Sequence, residues 1–157
     1  MFDVLLTFHV LATAVWLGGT VALVFVAIPV VRRLEGETRA AALRTLARRW
    51  RRIGWGSLTV LVASGIPLAG HAGAFHTHVL FSSSFGRVLI VKSVLAALLI
   101  GFAALHDFVF GPRLARQIRE GGPQSARRPL VWVGWTSFSL SVFVPVLGVV
   151  LAELPVH

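Results

Sequence analysis

Residues 4–31, VLLTFHVLATAVWLGGTVALVFVAIPVV, run directly into Arg32 and Arg33, and this junction decides the fold. A helix needs about 20 consecutive apolar residues to cross the hydrocarbon core. The run supplies them with no charged residue, and Pro29 stands near its end. Three further runs follow along the chain. Residues 53–70 are interrupted by Gly65 and Pro67, residues 87–110 open on Arg87, and residues 130–154 complete the set. Fifty-six per cent of the chain is hydrophobic, 13% is charged and the mean hydropathy is +0.82, which is the composition of a protein dissolved in lipid. The spacing predicts an all-α integral membrane protein, a single domain of residues 1–157 built as a four-transmembrane-helix bundle in the lipid bilayer.

Arginine gives the orientation. The segment 32–52 holds Arg32, Arg33, Arg39, Arg44, Arg48, Arg49, Arg51 and Arg52, and the segment 111–129 holds Arg113, Arg116, Arg119, Arg127 and Arg128. Together they carry 13 of the 15 Lys and Arg residues, whereas the loop at 71–86 and both tails carry none. Positive loops stay in the cytoplasm. Loops 32–52 and 111–129 are therefore expected inside, with both termini outside a cell inner (plasma) membrane. Alanine and leucine spacing from Thr38 to Trp50 predicts a short interfacial helix between the first two spans. The net charge of +9 is assigned to topology and headgroup contact, with no nucleic acid expected, because no binding motif accompanies it. Met1, Phe2 and Asp3 lack the positive region of a signal peptide, so the first helix is expected to be retained.

The two halves of the chain resemble one another. Pro29 with Arg32 and Arg33 matches Pro112 with Arg113 and Arg116 at an offset of 83, and Gly54, Trp55 and Ser57 match Gly134, Trp135 and Ser137 at an offset of 80. Two hairpins of the same orientation, related by a pseudo-twofold axis along the membrane normal, produce such a pattern. The competing explanation is that Pro, Arg and Trp accumulate at helix ends. The 83-residue offset superposes His9 on Lys92, each about five residues inside the outer end of its helix, roughly 8 Å deep.

Ionisable groups within a span are costly and mark ligand, ion or proton sites when they face the interior. His9 shares a helix face with Ala12 and Trp16. Lys92 either snorkels to the outer surface or turns inward toward a carboxylate or propionate. His106 falls within about 40° of the Lys92 face and some 21 Å nearer the cytoplasm, while its neighbour Asp107, about 100° away, is expected to cap or to pair with Arg113 in the inner loop. In the outer loop, His71, His76 and His78 stand without cysteine or a nearby carboxylate, and imidazoles at this spacing suit Cu(II), Zn(II) or Ni(II). With no cysteine and only Met1 as a sulfur donor, a metal site draws on His9, His71, His76 and His78, or these histidines are a solvated loop and a buried hydrogen-bonding group. Trp16 either packs in the core or lies against a flat cofactor. Trp50, Trp55, Trp132 and Trp135 read as interfacial anchors.

His9, Trp16, Gly18 and Gly19, the apolar run to Pro29, then Phe85, Gly86, Arg87, Lys92 and the Pro112-Arg113 helix end resemble the CopD-type copper resistance membrane domain along nearly the whole chain. The chain is more distantly similar to HemJ-type protoporphyrinogen oxidases. There the resemblance implies b-type haem held by the histidine that matches His9, with the lysine that matches Lys92 also involved. It departs from that second pattern between Leu17 and Val31. Three functions follow as expectations. The first is copper binding, transport or resistance through outer histidines, with a periplasmic copper-binding protein, other membrane subunits or further copies of the chain as partners. The second is a haem-dependent membrane oxidoreductase with cofactor contacts from His9, Trp16, Lys92 and His106. The third is a small accessory subunit of a membrane complex.

Overall fold

The computed structural model describes residues 1–73, 77–120, 123 and 125–154. The described residues are helical with short connections, and no strand occurs among them. Four helices are long and apolar enough to cross a membrane: α1 (Phe2–Arg32), α2 (Gly36–His71), α4 (Ser84–Ile118) and α5 (Arg127–Glu153). A short helix, α3 (Thr77–Ser82), precedes α4. The chain divides into two compact units, Met1–Gly73 and Ala74–His157, each built around a helical hairpin. In the first, α1 packs on α2; in the second, α4 packs on α5.

The helices are longer than hydropathy alone predicts. The basic segment expected as a separate interfacial helix is instead continuous with the second span in α2, 36 residues or about 54 Å of helix. Alanine, leucine and arginine are all strong helix formers, and nothing between Trp50 and Ile53 breaks the hydrogen-bond ladder. Glu35 is extended and Gly36 takes φ +51°, the left-handed turn that lets the chain reverse from α1 into α2. At the other end of the second unit, Ser83 caps α4 by accepting from the Gly86 amide at 2.9 Å.

Pro112 does not end α4 where the sequence suggested, whereas α1 ends at Arg32, three residues after Pro29 and beside the expected Val31. Immediately before each proline the helix widens into a π-turn, Leu23–Ala27 before Pro29 and Leu105–Phe110 before Pro112. The Ile28 amide donates to the Leu23 carbonyl, and the Gly111 amide to the His106 carbonyl, each across five residues. Proline has no N–H for the carbonyl four residues back, and a wider turn beside it lets the helix run past the gap. Hence α4 continues through Pro112 into the basic segment, where a loop was expected from Gly111. The connection to α5 is held by Gln117, which donates to Ser125 at 2.8 Å and accepts from the Ala126 amide at 3.1 Å.

The prolines that follow the two π-turns are 83 residues apart, and the same offset runs through the packing of both hairpins. Buried Trp16 corresponds to buried Leu99, and buried Leu58 to Ser141, which is 1% exposed. His9 lies against Gly65 in the first hairpin and Lys92 against Gly148 in the second. These pairs give the second and fourth helices the offset of 83 in place of the 80 read from their tryptophans. The internal repeat is thus carried by register, not by a conserved string of letters.

Solvent preference is that of a membrane protein. Phe8, Phe25, Phe143 and Val149 are exposed, whereas small residues such as Ala12, Gly54, Ser64, Ala103 and Ser141 are buried. Hydroxyls within the helices donate to carbonyls four residues back, as Thr13 does to His9 and Ser141 to Ser137. This satisfies a polar group where no water is available.

Candidate functional site

In the first hairpin, α1 carries His9 at intermediate exposure toward α2, where Gly65 leaves room for the ring. A Cβ at position 65 would lie 3.2 Å from His9 Cε1. Ser64, buried beside it, has a single hydroxyl hydrogen, and its oxygen is 2.6 Å from the Val60 carbonyl, which can only accept. Ser64 Oγ therefore accepts from His9, whose Nδ1 is 2.9 Å away. This assigns the neutral ring as the Nδ1–H tautomer and makes Nε2 its lone-pair atom. Sequence reading found His9 but not Ser64, whose only signal was a hydroxyl inside an apolar run.

Two turns further along α2, His71 repeats the arrangement. Its Nδ1 donates to the Pro67 carbonyl at 2.8 Å, and its ring is tilted against Phe2 with centroids 6.2 Å apart. Pairing Phe2 with His71 and His9 with Ser64 fixes an antiparallel register, so both histidines belong to the end of the hairpin away from the arginines. In both, Nδ1 is the nitrogen committed to α2, and a hydrogen bond of this kind is how metal-binding imidazoles are commonly oriented.

Trp16 is 7% exposed and has its core-packing role. It stacks at a tilt on Trp50, centroids 5.9 Å apart, over Gly54, where a Cβ would come within 3.0 Å of the Trp16 ring. Trp50 in turn fills the space above Gly19. It is an interlock between α1 and α2.

In the second hairpin, Lys92 is half-buried and its Nζ lies where a Cβ on Gly148 would be 3.1 Å away. His106 sits in the π-turn and donates from Nδ1 to Asp107 Oδ1 at 2.9 Å, its other edge against Gly134. The wider turn changes the angle between adjacent residues and lets a histidine and its neighbour meet. His78 is exposed on α3. His76 lies outside the described residues. Among the described residues, no three His, Cys, Asp or Glu side chains gather into a group that could hold a metal.

The family profile described as copper resistance protein D, CopD, matches residues 44–151, well over half of the sequence. The chain belongs to the CopD family. No curated protein and no solved structure matches it significantly. Together with the four apolar helices, membership makes this CopD chain a multi-pass membrane protein of copper resistance. The matched region includes His71, Lys92 and His106, and the Trp50 and Gly54 surfaces on which Trp16 packs. His9 precedes the matched region.

Proposed function

We propose that this CopD protein handles copper through histidines at the end of the chain remote from its arginines. His71, His76 and His78 take up the ion, and His9 receives it within the span. The observation that carries this reading is the shared anchoring of His9 and His71, each donating from Nδ1 to a partner on α2. Imidazole nitrogen suits Cu(II), and a chain with no cysteine and one methionine offers little to a Cu(I) route. The arginine distribution orients this end outward from the plasma membrane, where a periplasmic copper-binding protein, another membrane subunit or a second copy would meet it. Copper here is the cargo, and the histidines are its ligands.

Copper titration of the purified full chain tests the reading. A tight equivalent of Cu(II) is expected, weakened in a His71→Ala/His76→Ala/His78→Ala variant and in His9→Ala. Stoichiometric binding unchanged in both variants contradicts it. One alternative has its own support: an imidazole such as His9 is equally suited to haem iron, and the 83-residue repeat pairs it with an amine, Lys92, in the second hairpin. A Soret band in the purified protein that vanishes in His9→Ala would replace copper by b-type haem.

A further inference from the structure

We propose that the second unit carries a binding site for an anionic phospholipid, built at the basic end of α5. The helix opens with Arg127 and Arg128, followed on the Arg128 face by Val131, Trp132 and Trp135, a spacing that places four side chains on one stripe. These residues and Ser125 line an open groove of about 790 Å³. Trp132 is 66% exposed and Trp135 52% exposed, the exposure of tryptophans that face a membrane interface. Both rings are nonetheless held from behind, Trp132 edge-on to Phe102 at 6.2 Å and Trp135 edge-on to Phe138 at 5.7 Å. Among the described residues, neither arginine forms a salt bridge.

The composition of the groove selects its occupant. Two guanidinium groups offer paired donors to a phosphate, and tryptophan favours the boundary between headgroups and acyl chains. Because Arg127 and Arg128 stand where an apolar span begins, the groove lies at headgroup depth whichever way the chain is oriented. A second, apolar groove runs along α4 past Gly101, Phe102 and Leu105. Phe102 lines this groove and touches Trp132, which lines the first, so the two meet at that ring pair. A Cβ on Gly101 would meet nothing within 4 Å, which leaves that groove open to a chain. Phosphate between the arginines, glycerol across Trp132 and an acyl chain along α4 use both grooves with one molecule. Soluble phosphate uses only the first.

The test uses the full chain in phosphatidylcholine vesicles containing a fixed fraction of lipid brominated on its acyl chains, carried on either phosphatidylglycerol or phosphatidylcholine. Brominated phosphatidylglycerol should quench tryptophan fluorescence more than the same fraction of brominated phosphatidylcholine. Each arginine near the surface favours an anionic lipid about fivefold at low salt, so the preference should fall by at least that factor in Arg127→Gln/Arg128→Gln. Trp132→Phe/Trp135→Phe should remove most of the excess quenching, and Trp50→Phe/Trp55→Phe should leave it. Gly101→Leu should reduce it with every charge retained. Equal quenching by the two lipids overturns the proposal, as does a preference that survives Arg127→Gln/Arg128→Gln and therefore belongs to the general positive charge. Abolition of the preference by millimolar inorganic phosphate, with Gly101→Leu without effect, reduces the site to an anion contact and equally overturns it.

Discussion

Replacing Gly19 by alanine should destabilise the first hairpin, while the same change at Gly18, one residue away, should not. In a helix interior, glycine to alanine gains about 1 kcal/mol from reduced backbone freedom. At Gly18 nothing lies within 4 Å of the added Cβ, so this gain should be realised in part or in full. At Gly19 the Cβ would occupy space already filled by the six-membered ring of Trp50. That ring has little freedom to retreat, since it is tilted against Trp16 at 5.9 Å and lies 3.4 Å from the Cβ position of Gly54. Overpacking a filled site costs about 1–3 kcal/mol, so the two neighbours should differ by roughly that amount, with Gly19→Ala the less stable. Unfolding in detergent, followed by near-ultraviolet circular dichroism of the tryptophans, measures the difference. The clash also predicts coupling: Trp50→Phe should cost less in the Gly19→Ala background than alone. Equal stability of the two alanine variants, or the absence of coupling, would refute the interlock.

Other consequences follow from the same contacts. Ser64→Ala removes the acceptor that sets the His9 ring; loss of such a partner typically weakens metal affinity by about 10–100-fold, against a stability cost of only about 1 kcal/mol, separable by copper titration and unfolding. Gly65→Ala should likewise lower copper affinity by displacing the ring at 3.2 Å, whereas Gly148→Ala meets only the flexible end of Lys92 and should leave folding intact in a thermal melt. Gln117→Ala removes two hydrogen bonds from the turn before α5 and should speed proteolysis of the full chain near Ser125 by several-fold, without shifting the main unfolding transition.

Hydropathy made the four spans legible because twenty uncharged residues have few other uses, and the histidine and lysine within them stood out for the same reason. What was not legible depended on a neighbour distant in sequence. Trp16 reads first as a packing residue, but its neighbours Trp50 and Gly54 could not be named because they stand on another helix. Pro112 looked like a helix end because a π-turn has no compositional signature. Ser64 could not be assigned to His9 before the register of α1 on α2 was known. The repeat was visible at its prolines, but the tryptophans gave an offset three residues short, since aromatic rings gather at the interface wherever the helix crosses it. Register, read from His9 on Gly65 and Lys92 on Gly148, gives one offset throughout.

The most direct test of copper ligation is the electron paramagnetic resonance spectrum of the full chain in lipid nanodiscs, loaded with one equivalent of Cu(II). The account predicts nitrogen hyperfine structure from imidazole that loses a contribution in His9→Ala and again in His71→Ala, with Ser64→Ala intermediate. A spectrum of aqueous or oxygen-ligated copper, or one identical in all four proteins, would contradict it.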